Sequence, residues 1–187
     1  MMLRNLPNLI SAARIVLVAP VVWYILQENY SLALLLFVIA GVSDGVDGFL
    51  AKRFHWQSRL GSILDPLADK LLIILSYAAV MWTQLIPLWL WLCILARDVI
   101  IVTGALTYHF AIGKFEMAPS LVSKFNTVVQ IFLLVLVLGK SLTTVPSWFM
   151  DSMVYLTLVT VLLSGLDYMI VWGRKAMYAI KKATNND

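Results

Sequence analysis

The chain is predicted to be an all-α integral membrane protein of six transmembrane helices, and three observations predict it. Of its 187 residues, 61% are hydrophobic and only 13% charged, whereas soluble domains carry about a quarter charged residues. The mean hydropathy is +0.89. Apolar runs of roughly 20 residues, the length that crosses a hydrocarbon core, alternate with short polar breaks, and six such runs use up residues 1–187 as a single domain.

The first run extends from Leu9 to Leu26 and closes at Gln27-Glu28-Asn29. It is too long, and too polar at its start, for a cleaved signal peptide, and no small-residue cleavage site follows. The second begins at Ser31 and reaches Phe54, and His55 to Arg59 forms a polar link. The third covers Leu60 to Trp82, and Pro87 opens a fourth that ends near Ile112. Ala118-Pro119-Ser120 starts the fifth, which ends near Leu138; Pro146-Ser147 starts the sixth, which fades into Gly173-Arg174-Lys175. Proline, serine and asparagine at these breaks are helix-start and turn signals.

Charge sets the orientation. With six spans, Arg4, Lys52, Arg53, Arg59, Lys114, Arg174, Lys175, Lys181 and Lys182 share one side, and Lys140 alone sits in a loop on the other. The excess of basic residues marks the cytoplasmic face, so both termini are expected there, in what reads as a bacterial inner membrane. A five-span chain would split the set. The formal charge of +4 and pI of 9.3 point to anionic lipid or phosphate partners and not to nucleic acid, because no soluble basic face is present. The single cysteine, Cys93, excludes an intrachain disulfide and reads as a small packing residue. The tryptophans gather near span ends, at Trp82, Trp89, Trp91, Trp148 and Trp172, as an aromatic belt would.

Against this apolar background stand four acids, Asp44, Asp47, Asp65 and Asp69. Spacings of three and four put each pair on one helix face. Carboxylates in or near a bilayer are functional by default, and four converging like charges repel. Two divalent cations, magnesium or manganese, remove that repulsion, because hard cations take oxygen ligands. Gly48, Ala51 and Gly61 allow close approach of a bulky ligand, and Lys52 supplies a cation for phosphate. Metals, small residues and cations together suit phosphoryl transfer.

The segment Asp44 to Asp69 reads D-x2-D-G-x2-A-K-x8-G-x3-D-x3-D and closely resembles the signature of the CDP-alcohol phosphatidyltransferase family. It departs once: Lys52 stands where the family usually has arginine, which keeps the charge but loses the bidentate fork; Arg53 is adjacent. The likeness extends from Leu6-Pro7-Asn8-Leu9-Ile10-Ser11 to Gly173-Arg174-Lys175. It implies six helices around a polar cavity open to the cytoplasm, often in a homodimer, with two divalent metals held by the four aspartates. It further implies that Asp69 takes the proton of an acceptor hydroxyl, which attacks the lipid-side phosphorus of CDP-diacylglycerol and releases CMP. Gly48, Ala51, Lys52, Gly61, Asn8 and Ser11 would line the CDP site.

Arg97 and Asp98 fall in the middle of the fourth span, where a charge needs a reason. Neighbours point about 100° apart on a helix, so they are not expected to pair with each other. The resemblance makes Arg97 an acceptor-phosphate ligand and Asp98 structural, facing a cation on another helix. Lys124 either meets the acceptor or snorkels to the interface, and Arg59 could reach the same pocket. Gln130 and Asp167 suit interhelical hydrogen bonds. Arg14 pairs with a nearby acid or with lipid phosphate. His55 and His109 lack metal-ligand spacing and read as interfacial.

Two acceptors fit. Glycerol 3-phosphate would give a CDP-diacylglycerol–glycerol-3-phosphate 3-phosphatidyltransferase; phosphatidylglycerol would give a cardiolipin synthase. The first branch usually carries G-K-x-K-T at the start of the fifth span, and the segment here is Ser123-Lys124-Phe125-Asn126-Thr127. Asn126 in place of a cation favours the phosphodiester acceptor, and chain length favours glycerol 3-phosphate, which we take as the leading expectation. A small membrane transporter would explain acids in spans, but not the phosphate-directed cations or the glycines beside the carboxylates.

Overall fold

The computed structural model describes residues 6–54, 61–111 and 120–184. They form six α-helices: α1 (Leu6–Leu26), α2 (Tyr30–Phe54), α3 (Gly61–Trp82), α4 (Leu88–Ala111), α5 (Leu121–Gly139) and α6 (Ser147–Thr184). The breaks after α1, α3 and α5 fall where polar residues and prolines predict them; the other two lie outside the described residues. The ends of α1 and α3 close without glycine, on Glu28 and Gln84, both at φ 58°. At the first, Asn29 N–H donates to the Tyr24 carbonyl at 2.9 Å; at the second, Leu85 N–H donates to Val80 at 2.9 Å. These bonds satisfy carbonyls that the helix end would otherwise orphan. Asn29 Oδ1 then caps α2 by accepting from Leu32 N–H at 3.3 Å, and Ser120 Oγ caps α5 by accepting from Ser123 N–H at 3.1 Å.

One element departs from expectation. α6 does not fade near Gly173 but continues to Thr184, 38 residues in all. Gly173 is a single weak helix former followed by Arg, Lys, Ala, Met, Tyr and Ile without proline, and one glycine costs only about 1 kcal/mol in a helix interior.

Among the described residues two helical segments are long and apolar enough to cross a membrane, Leu121–Gly139 and Ser147–Val171, and 39% and 28% of an apolar 18-residue stretch in each is buried in the protein. A core helix of a soluble domain would hide most of its length; these leave Leu121, Val128 and Leu163 outward. α1 and α2 contribute shorter apolar stretches, Ala12–Leu26 and Tyr30–Val46. Hydroxyls on the helices turn inward to their own backbone, as when Thr103 Oγ1 donates to the Val99 carbonyl at 2.7 Å and Ser152 Oγ to Trp148 at 2.7 Å. This is how a polar side chain is satisfied where water is scarce.

The chain divides into two compact units. The first comprises residues 1–87 with 134–146, and the second residues 88–133 with 147–187. In the first, α1 packs along both α2 and α3, which touch one another far less. Its buried face on α1 is Arg14, Val18, Val21 and Ile25; on α2 it is Ala33, Phe37 and Ala40. Steps of four and three residues keep each set on one side of its helix. In the second unit α4 packs on α6, with Leu90, Ile94 and Arg97 facing in from α4, and Val154, Thr157, Val161 and Ser164 from α6. Trp89 stacks on Tyr155 at 6.2 Å between ring centroids.

Candidate functional site

The first unit delivers a guanidinium to two acids by register alone. On α1 the buried steps from Arg14 to Ile25 run four, three, four. On α2 the steps from Ala33 through Phe37 and Ala40 to Asp44 repeat them in the opposite direction from the turn. Antiparallel helices with matching steps bring Arg14 level with Asp44. On α3, Asp69 adjoins buried Ala68 and precedes buried Leu72 by one turn. Arg14 Nη1 donates to Asp44 Oδ1 at 2.7 Å and to Asp69 Oδ1 at 2.7 Å. The Arg14 side chain is wholly buried, while those of Asp44 and Asp69 are 42% and 43% exposed. One acid from each of the two sequence pairs therefore meets at a single buried nitrogen. The expectation that Arg14 pairs with a nearby acid is met twice.

Asp47 and Asp65 lie on α2 and α3, three residues after Asp44 and four before Asp69. Their side chains lie outside the described residues, as do those of Asn8, Ser11, Ala51 and Lys52 and the surroundings of Gly48 and Gly61. Arg59 and His55 lie outside them altogether, and so does the His109 side chain. Among the described residues no three metal-ligating side chains cluster. What is seen suits a hard divalent ion: two carboxylates from different helices, drawn together and open on one side. Beside them a shallow apolar groove of about 400 Å³ follows α1 and α3, bounded by Ile15, Val18, Val22 and Leu26 on one side and Leu71 and Leu75 on the other.

The second unit holds a different cluster. Arg97 Nη1 donates to Asp98 Oδ1 at 2.6 Å, its Nε to Ser164 Oγ at 3.1 Å, and its Nη2 to Ser123 Oγ at 2.5 Å and Ser164 Oγ at 2.6 Å. Both members of the ion pair are buried. This corrects the expectation that Arg97 and Asp98 do not pair. Their Cβ atoms do diverge, but the arginine stem is long enough to fold back over the intervening arc, and in a dry interface the nearest carboxylate wins. Gly165 lies against the arginine stem: a Cβ there would sit 3.8 Å from Arg97 Cγ, an ordinary contact. Ser123 and Ser164 escaped sequence reasoning, although each sits on the buried stripe of its helix.

Asn126 is fully buried. Its Oδ1 accepts from Thr160 Oγ1 at 3.0 Å, and its Nδ2 finds no partner among the described residues. Lys124 is exposed, Gln130 buried and Asp167 half-buried. Tyr168 Oη donates to the Ile101 carbonyl at 2.9 Å, a further tie between α4 and α6.

Comparison with known proteins adds three findings. A family model described as CDP-alcohol phosphatidyltransferase matches residues 4–172. Human cardiolipin synthase (CMP-forming) is 33% identical over 195 aligned positions, which cover 95% of this chain and 64% of the relative. The CDP-diacylglycerol–glycerol-3-phosphate 3-phosphatidyltransferase of Aquifex aeolicus is 37% identical over 127 positions, covering 66% of this chain and 69% of the relative. The chain thus spans just under two thirds of the length of the human protein it matches.

Proposed function

The chain belongs to the CDP-alcohol phosphatidyltransferase family, and from that premise we propose that it is a membrane-embedded enzyme moving the phosphatidyl group of CDP-diacylglycerol to a glycerol-type alcohol, with release of CMP. The observation that carries the reading is the meeting of Asp44 and Asp69, one from each half of the signature, at the Arg14 guanidinium. In this reading all six helices span the membrane around a polar cavity open to the cytoplasm, in a homodimer of the bacterial inner membrane.

Asp44, Asp47, Asp65 and Asp69 would hold two divalent ions, magnesium or manganese. When bound, these ions neutralise charge building on the diphosphate. Asp69 accepts the proton of the acceptor hydroxyl; the oxygen bonds to the lipid-side phosphorus, and the bond to CMP breaks. Gly48, Ala51, Lys52, Gly61, Asn8 and Ser11 hold the CDP moiety, and the groove along α1 and α3 suits an acyl chain of the donor. Lys124 and Arg59 meet the acceptor. Arg97 joins them if its serine bonds give way to phosphate oxygens, which make stronger charge-assisted bonds.

The acceptor we assign is glycerol 3-phosphate. One observation favours phosphatidylglycerol as a second reading: Asn126 stands where the first branch has a second cation, and its carbonyl oxygen is engaged with Thr160. Purified protein with magnesium and CDP-diacylglycerol, offered each acceptor separately, decides between them by the lipid product. Absence of CMP release with both would overturn the transferase reading in favour of a transporter or scaffold.

A further inference from the structure

Arg14 is the most completely buried charge described in the first unit, and its two acids come from helices that barely touch one another. A guanidinium shut away from water must be matched by carboxylate. The converse also holds. Asp44 and Asp69, drawn to one point with nothing between them, would push α2 and α3 apart. The bonding answers both needs at once, since Arg14 Nη1 donates to an oxygen of each acid. It is also one-sided. The cation lies behind the acids, and the acids keep two fifths of their side-chain surface open in front.

We propose that Arg14 is the resident counter-cation of the carboxylate face: a positioning residue that ties α2 and α3 to α1 whenever divalent ions are absent, and that shares the acids with those ions when they bind. The proposal rests on reading Asp44 and Asp69 as metal ligands. Two consequences follow from the charge alone. The empty site stays assembled, with its acids facing outward, so metal finds a formed cradle. The fixed positive charge at the back also repels an arriving cation, which holds affinity below what the bare carboxylates would give.

The test is thermal unfolding of the purified full chain in lipid nanodiscs, with chelator and with magnesium chloride. Arg14→Met keeps the stem and removes the charge. In chelator its Tm should fall by roughly 10 °C, the scale on which a broken buried pair registers. Magnesium should return at least half of that loss, so its stabilisation exceeds the one it gives the wild type. Arg14→Lys, which keeps a charge but not the fork, should lie between the two and serves if the methionine variant does not fold. In the double variant Arg14→Met with Asp44→Asn, one repelling charge is gone, and Tm in chelator should recover toward wild type without any metal. A loss equal in chelator and in magnesium, with no recovery in the double variant, would make Arg14 a packing residue and overturn the proposal. If the wild type itself gains nothing from magnesium or manganese while the double variant still recovers, the metal reading falls and the counter-cation role stands.

Discussion

Arg14 and Arg97 are both buried on helix faces that are otherwise apolar, yet their surroundings differ. The acids of Arg14 come from two other helices and are nearly half exposed. The acid of Arg97 is its own sequence neighbour and is buried with it, beneath two serines from α5 and α6. A closed cluster satisfies itself and serves to join helices. An open one leaves carboxylate surface that something from outside can use. Position in the chain does not distinguish the two arginines; the exposure of their partners does.

The largest effect that would sharpen this contrast is at the open cluster. Asp69→Asn should lower turnover by about 10²–10⁴-fold, the usual loss on removing a general base, with donor binding reduced much less; CMP release and CDP-diacylglycerol binding measure the two. Near-normal turnover would remove Asp69 as the base. In the same assay excess chelator should abolish activity, and magnesium or manganese should restore it.

At the closed cluster the expected loss is of stability. Arg97→Ala breaks a buried ion pair, at about 3–5 kcal/mol, so folded yield and Tm should drop whether or not magnesium is present. A stable Arg97→Ala protein with a raised acceptor KM would break the comparison, because it would make the second cluster a ligand site like the first. Smaller again is Thr160→Val. It strips the donor from a buried carbonyl oxygen and should cost about 1–3 kcal/mol, read by thermal melting, while acceptor preference stays unchanged. Asn126→Lys should destabilise more than this, since its ammonium enters a fully buried position; a stable variant turned toward glycerol 3-phosphate would instead place residue 126 at the acceptor.

The smallest expected change separates two glycines. A Cβ at Gly45, beside Asp44, meets nothing within 4 Å, whereas at Gly104 it would lie 3.2 Å from Tyr168 Cε1. Gly45→Ala should therefore raise stability by up to about 1 kcal/mol through helix propensity. Gly104→Ala should gain less or lose, because the ring that ties α6 to Ile101 must shift.

What was legible in the sequence follows from what is local. Helix limits were readable because prolines and polar turn residues interrupt long apolar runs, and the acids because steps of three and four define a face. The resemblance of Asp44 to Asp69 to a family signature agrees with the family match over residues 4–172. The Arg97–Asp98 bond was missed because backbone direction says little about a stem with four rotatable bonds. Ser123 and Ser164 were missed because a serine on an apolar stripe looks like any small packing residue until the opposite helix supplies a cation. Arg14 was seen to need an acid, but its choice of two depends on a three-helix register that no single segment encodes.

The unbroken run of α6 to Thr184 has a mechanical consequence. At about 1.5 Å per residue its 38 residues reach roughly 57 Å, nearly twice a hydrocarbon thickness of about 30 Å. Within the part of α6 whose side chains are described, no residue beyond Ser164 is buried. Placed in a bilayer, the helix stands as a post whose far end clears the headgroups. Thinner or thicker lipid would change how much of this post stands clear, so α6 itself should tolerate a change of acyl-chain length that the shorter α4, 24 residues long, registers first.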